Sequence, residues 1–204
     1  MGPRFDLCGD IGQGDSTSQA LARFLTDNPG PVRLMINSGG GDALEGAALM
    51  AEVERHGAVT VYVQGIAASA ATLPVVAAQE VIMHPSAVLM IHEPATLGGG
   101  TADELRTVAE TLDKLAGTYA AAYAKHTGHP VSRVAAWMRA ETWLTAQEAV
   151  ELRFADRIEA MAGPPPLVAA VDFTKFRHAP ADLVRLAQER GWAAVPPDEI
   201  QEKA

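Results

Sequence analysis

The sequence predicts an α/β fold built on a mostly parallel sheet, and three observations carry that expectation. Short apolar runs rich in β-formers alternate with stretches of helical spacing. The first such run ends in a glycine loop that leads straight into a helix, and the runs lack polar alternation, as suits strands covered on both faces. Val32-Arg33-Leu34-Met35-Ile36-Asn37 is that first run, ended by Ser38-Gly39-Gly40-Gly41-Asp42, with helical spacing from Ala43 to His56. In this helix Leu44, Ala47, Ala48 and Val53 are expected toward the sheet and Glu45, Glu52, Glu54 and Arg55 toward water. Asp42 is the expected N-cap and Gly57 the stop. Val59 to Val63 follows as a second strand, so the order predicts a right-handed parallel crossover.

The pattern then repeats more weakly. Gly65 to Ala78 reads as a small-residue helix, Glu80 to Met83 as a strand and Ala87 to Ile91 as another. After Leu97-Gly98-Gly99-Gly100-Thr101 a long helix is expected from about Ala102 to His126, bounded by Gly128. Further helices are expected over Val131 to Arg139 and Thr145 to Leu152, the second behind a capping box of Thr145 with Glu148. Ala155 to Ile158 closes the folded part. Gly163-Pro164-Pro165-Pro166 breaks any helix or central strand, which divides the chain into a domain over 1–162 and an appendage over 163–204. In the appendage Ala181 to Arg190 has one amphipathic pattern and Pro196-Pro197 is another stop.

Composition bounds the function. The 204 residues hold 16 Lys+Arg against 25 Asp+Glu, a net charge of −9, so a phosphate-binding nucleic-acid groove is not expected. A chain of this length buries about 70% of its unfolded surface and needs neither a disulfide nor a metal as a staple. The single Cys8 cannot form an intrachain disulfide and is expected buried and inert in a reducing cytoplasm. No apolar run reaches the ~20 residues that span a bilayer, and Met1 to Asp6 does not read as a signal peptide. No metal site or cofactor is expected. The 18 glycines, the abundant alanines and the 5% aromatic content instead point to close backbone approach, either between helices or to a ligand.

Three segments could carry chemistry. Asn37 to Asp42 is a glycine turn at a helix N-terminus, where free backbone N–H groups suit an anion; taken alone it equally reads as a plain turn, and it has neither the P-loop Lys-Ser/Thr pair nor G-x-G-x-x-G spacing. Ser69, in Gly65-Ile66-Ala67-Ala68-Ser69-Ala70-Ala71, is a candidate nucleophile among small neighbours, or a packing serine bonded to a preceding carbonyl. His92, in Met90-Ile91-His92-Glu93-Pro94, stands where an apolar strand ends. Both residues follow strands of one inferred sheet, and open α/β folds gather functional groups at strand carboxyl ends. The other histidines, His56, His84, His126, His129 and His178, show no evident partner.

The order and spacing of these segments resemble the Clp protease proteolytic subunit family, especially its phage and prophage head-maturation members. Asn37-Ser38-Gly39-Gly40-Gly41 is similar to that family's Asn-Ser-Pro-Gly-Gly, and Gly65 to Ala70 to its Gly-x-Ala-Ala-Ser-Met. Met90 to Pro94 is similar to its Met-Ile-His-Gln-Pro, and Glu141-Thr142-Trp143-Leu144-Thr145-Ala146-Gln147-Glu148-Ala149 to its Asp-x-Phe-Leu-Ser-Ala-x-Glu-Ala. Leu97 to Asp103 with the long helix after it is similar to the family's handle.

The resemblance implies an α/β fold of the ClpP/crotonase-like type, a spiral of repeated β-β-α units with a protruding handle helix. It implies a serine endopeptidase with Ser69 as nucleophile, His92 as general base and Glu141 as third member, and with backbone N–H groups of Gly40 and Ala70 as the oxyanion hole. It further implies a polypeptide substrate and a homo-oligomer, a ring or double ring. Glu141 replaces an Asp, and the other reading makes it an exposed helix-end charge beside a Ser-His dyad. Asp156 matches a structural Asp instead. Gly39 replaces Pro and Arg153 replaces Gly, while Asp10 to Asp15 does not match the axial-loop segment, which speaks against dependence on an ATP-driven unfoldase. Two other functions fit parts of the pattern: a catalytically silent chamber subunit, and a crotonase-like acyl-coenzyme A enzyme, in whose chemistry a Ser with a His 23 positions later has no role.

Overall fold

In the computed structural model, residues 2–160 and 171–189 are described. The core of the molecule is a seven-stranded sheet in the order β1-β2-β3-β4-β7, with β5 paired to β3 and β6 paired to β5. The strands are β1 Arg4–Ile11, β2 Val32–Gly41, β3 Val59–Ala68, β4 Glu80–Met83, β5 Val88–Ile91, β6 Thr142–Thr145 and β7 Arg157–Ile158. Every pairing is parallel except β5 with β6. The helices are α1 Ser18–Asp27, α2 Ala43–His56, α3 Ala102–Thr127, α4 Val131–Arg139, α5 Ala146–Glu151 and α6 Ala181–Glu189. This is the predicted α/β class, and the β2-α2-β3 crossover is parallel as expected.

The helix caps follow the sequence signals. Asp42 accepts from the Glu45 N–H and Gly57 ends α2 at φ +75°; Thr101 and Thr145 both form complete capping boxes, with Glu104 and Glu148. The buried face of α2 differs from expectation. Gly46, Leu49 and Val53 turn inward, whereas Leu44 is 64% exposed. Gly46 is the reason for that rotation: a Cβ there would lie 2.7 Å from the Ala70 carbonyl oxygen, so the helix rests its glycine directly on the segment after Ser69.

Four strands differ from the sequence reading. β1 and β6 were not foreseen, and the Gly39–Gly41 turn proves to be the end of β2, paired to β1 through Gly40 and Gly41. Gly65 to Ala78 is not one helix. β3 runs on to Ala68, and short 3-10 turns cover Ser69–Thr72 and Val75–Ala77 around Pro74, which interrupts helical hydrogen bonding.

β3 forks, and the fork positions the site. Its first half, Thr60 to Val63, pairs with β4, while Ile66 to Ala68 pairs with β5. The register against β2 also shifts between Ile36 and Ser38, where Asn37 Oδ1 accepts the Ile66 N–H at 3.2 Å. A Cβ on Gly65 would come within 2.7 Å of that oxygen, so the bulge requires glycine.

The main core lies on the helix side and includes Leu34, Ile36, Leu49, Val61, Val63, Leu73, Leu89 and Phe154, each contributing roughly 1.5–3 kcal/mol by burial. On the other face Ile66, Ala68 and Met90 pack with Val171 and Phe176. Residues 171–179 of the expected appendage are thus seated on the sheet. The proline break at 163–166 and the Pro196-Pro197 stop lie outside the described residues.

Candidate active site

Ser69 begins where β3 ends, and it holds φ at +55°. That left-handed conformation costs a non-glycine residue of order 1–3 kcal/mol, and it turns the side chain out of the strand at the sheet's carboxyl end. His92 follows β5, the strand paired to this end of β3. The two side chains meet: His92 Nε2 lies 2.7 Å from Ser69 Oγ, a hydrogen-bonding distance. The bland alternative for Ser69, a hydroxyl bonded back to its own helix, is not what the geometry shows.

Glu141 precedes β6, which runs antiparallel to β5 and therefore starts at the strand end where His92 stands. Like Ser69, it has a positive φ, +50°. It is only 7% exposed, which removes the exposed helix-end reading. Its Oε2 lies 4.0 Å from His92 Nδ1, an ion-pair distance rather than a hydrogen bond. The carboxylate accepts instead from the Arg177 N–H at 2.8 Å, the His178 N–H at 2.6 Å and the Trp143 indole N–H at 3.3 Å.

The electrostatics follow from these contacts. Burial alone pushes the Glu141 carboxyl upward, but the His178 and Arg177 amides, the Trp143 indole and His92 together bring it below the usual carboxylate range. His92 is pulled below its ordinary value mainly by burial; Glu141 opposes that shift and Arg177 adds to it. A neutral imidazole on Ser69 and an ionised carboxylate beyond it is the charge arrangement that a serine nucleophile with a general base needs.

Of the two expected oxyanion donors, Gly40 is brought against the serine. A Cβ there would lie 2.7 Å from Ser69 Cβ, and φ is +101°, so the close approach and the backbone both require glycine. Its N–H donates to Ser38 Oγ at 3.1 Å in this arrangement, while the Ser38 hydroxyl donates to the Gly9 carbonyl at 2.5 Å. Ala70 opens the 3-10 turn immediately after Ser69. A small pocket beside Ser69 and His92 is lined by Ala43, Leu73, Pro94, Tyr119 and Tyr123. The Tyr123 hydroxyl pairs with Thr72 Oγ1 at 2.6 Å and burial pushes its pKa up, so it stays neutral.

Several other expectations are corrected. Cys8 is half-buried rather than buried, and burial holds its thiol pKa up, first of its causes. Three of the remaining histidines have hydrogen-bond partners, His56 Nε2 with the Asn28 carbonyl, His84 with Ser86, and His126 with Phe154 and Val76 backbone, whereas His129 is a packing residue, edge-on to Trp137 with its Nε2 buried and unbonded. The His178 amide reaches the site itself, a role with no signal in the sequence because it belongs to the backbone. Asp156 caps β4 by accepting the Val81 N–H at 2.7 Å, the structural role expected of it. Among the described residues, no cluster of His, Cys, Asp and Glu could hold a metal ion.

Comparison with known proteins identifies the family. A family model described as Clp protease matches residues 13–161. The ATP-dependent Clp protease proteolytic subunit 2 of Rhodococcus jostii is 30% identical over 148 residues, covering 71% of this chain and 76% of the relative. Subunit 1 from Leifsonia xyli subsp. xyli is 32% identical over 157 residues, 75% of this chain and 79% of the relative. The subunit from Streptococcus salivarius is 32% identical over 150 residues, 70% and 76% of the two chains.

Proposed function

The chain belongs to the Clp protease family and is a serine-type peptidase, and on that premise we propose that Ser69, His92 and Glu141 are its nucleophile, general base and orienting acid. The observation that carries this reading is the 2.7 Å contact of His92 Nε2 with Ser69 Oγ at the fork of β3. His92 takes the serine proton as Oγ attacks the scissile carbonyl carbon, and returns it to the leaving amine. Water then repeats the sequence on the acyl-enzyme. Glu141, ionised at 4.0 Å, stabilises the imidazolium formed in each step.

The oxyanion is assigned to the Gly40 and Ala70 N–H groups, each such donor being worth about 3 kcal/mol of barrier. Gly40 must exchange Ser38 Oγ for the oxyanion to serve, a small rotation that the absence of a side chain at φ +101° permits. The lining beside Ser69 holds no carboxylate, lysine or arginine, which suits an uncharged substrate side chain, and an extended polypeptide is the expected substrate.

Assembly into a homo-oligomeric ring or double ring is supported by α3. Its first half stands clear of the body with Leu105 and Val108 exposed at 44% and 39%, an apolar stripe that the monomer leaves uncovered. No ATP-driven unfoldase is required in this proposal, and no cofactor. Residues 1–162 act as the peptidase domain with 163–204 as its appendage, in a reducing cytoplasm. Among the described residues, no helix is long and apolar enough to cross a membrane.

The deciding experiment is labelling with a fluorophosphonate probe together with hydrolysis of a fluorogenic peptide by the purified full chain. Labelling that maps to Ser69 and vanishes in Ser69→Ala, with peptide turnover lost in His92→Ala, is expected. Labelling without turnover marks a silent subunit, and labelling elsewhere overturns the assignment of Ser69.

A further inference from the structure

Residues 171–178 run beside the site, and their contacts converge on the carboxylate of Glu141. The Arg177 N–H occupies Oε2, the oxygen nearest His92 Nδ1, and the His178 N–H occupies Oε1, which the Trp143 indole also approaches. Both oxygens are therefore held and the plane of the carboxylate is fixed. A glutamate has one more rotatable bond than an aspartate, so holding it costs more side-chain entropy and needs more partners.

The segment that supplies these amides is anchored on both sides of them. Val171 is buried against Gly39, where a Cβ would meet its Cγ1 at 3.0 Å. Asp172 caps the short turn Phe173–Lys175, and Lys175 reaches Asp10 at 3.7 Å. The Phe176 ring is buried, edge-on to Trp143 at 5.3 Å and to His92 at 6.0 Å between centroids. The side chains of Arg177 and His178, by contrast, are exposed. What these two residues give the protein's interior is their N–H groups.

We propose that residues 171–178 are a positioning element of the peptidase: the Arg177 and His178 amides hold the Glu141 carboxylate in the orientation that serves His92. This rests on the roles assigned above to Ser69, His92 and Glu141. It makes the region beyond the proline break a part of the catalytic apparatus rather than a separate attachment. A buried carboxylate deprived of these donors would protonate or turn toward other partners, and imidazolium stabilisation would fall with it.

The test removes one donor without touching packing. Arg177→Pro lacks the N–H, its side chain is exposed, and Phe176 already has φ −109° and ψ 137°, the conformation a residue before proline prefers. In the full chain kcat on a fluorogenic peptide is expected to fall about tenfold with KM within about twofold of wild type, the pattern of a lost transition-state interaction. In a Glu141→Ala background the same substitution should cost less than about twofold, because the two changes act through one group. Unchanged or raised kcat, or an equal loss in both backgrounds, overturns the proposal.

A second readout does not depend on turnover. The groups facing His92 are Ser69, Glu141 and Arg177, with Tyr119 and Tyr123 lining the adjoining pocket. The His92 titration midpoint, followed by NMR, should move down when the Arg177 amide is replaced by an ester, which keeps the guanidinium that also bears on His92, and should stay put when the same replacement is made in Glu141→Ala. Absence of that pattern also overturns the proposal, whereas an unlabelled, inactive wild type overturns only the peptidase roles. Should the proline variant fail to fold, replacing the Arg177 amide by an ester removes the same donor and nothing else, with the same expected readouts.

Discussion

Ser69, Glu141 and Arg153 hold positive φ among the described non-glycine residues. Arg153 explains itself locally: it stands at a helix end where the resembling motif has glycine, and φ +61° is the value glycine adopts there at no steric cost. The other two carry no such local excuse. Each begins or ends a strand with its side chain turned toward His92, so the strain is spent on aim. The state of His92 gives a prediction. Since burial holds its pKa below about 6.5, the base stays neutral in mildly acid solution, and the acid limb of kcat/KM should inflect below that value. Glu141 raises the His92 pKa, so in Glu141→Gln the limb should move further down while the maximum rate drops; a limb moving up would contradict the assigned pair. Ser38 offers a second check. Its buried hydroxyl joins the Gly9 carbonyl to the Gly40 N–H, and Ser38→Ala should lower stability by about 1–3 kcal/mol, read in denaturant melts, by leaving the carbonyl unpaired.

At the scale of elements, α2 and α3 were legible because caps, glycine stops and period agree, and α4 by its period. β1 was not, since Arg4-Phe5-Asp6-Leu7-Cys8-Gly9-Asp10-Ile11 mixes charges and glycine into an edge strand with only Leu7 and Ile11 fully buried. β6 escaped for a different reason. Four residues between two helices give no period, and their strand character comes from pairing with β5. The small residues of Gly65 to Ala78 suggested a helix because alanine favours one; the fork of β3 and Pro74 overrode that propensity. α3 carries its own prediction. At 26 residues it extends about 39 Å, and its buried residues, Tyr119 to Thr127, lie in the last third. Leu105→Glu with Val108→Glu should leave far-UV circular dichroism and the melting temperature of the body unchanged. The mass measured by light scattering should drop toward the monomer if this helix makes the assembly contact.

For the molecule as a whole, the sequence put Ser69 and His92 after strands of one inferred sheet, while Glu141 was named only by the family resemblance, because the strand that positions it, β6, leaves no period in the sequence. It could not place the segment that holds Glu141. Arg177 and His178 act through backbone N–H groups 36 and 37 positions away, and no side-chain pattern records such a bond. The same buried groups shape global stability. His92 and His126 have lowered folded pKa values, so the unfolded state binds more protons below about pH 6.5 and stability falls as pH drops through the folded values. Glu141, lowered as well, keeps its contribution above the ordinary carboxylate value and loses it at lower pH. Thermal melts should therefore show a decline from pH 7 to pH 5 and a steeper one below pH 4.5. His126→Gln, outside the site, should remove part of the first decline.

The route of the chain through the site also sets an order in time. Ser69 and His92 leave the ribosome early, whereas the amides that grip Glu141 follow at residues 177 and 178. Synthesis runs from the amino end, so a nascent chain holds its serine and histidine well before it can secure its acid. In the proposed site, the grip on the acid is thus synthesised after both the serine and the histidine that it serves.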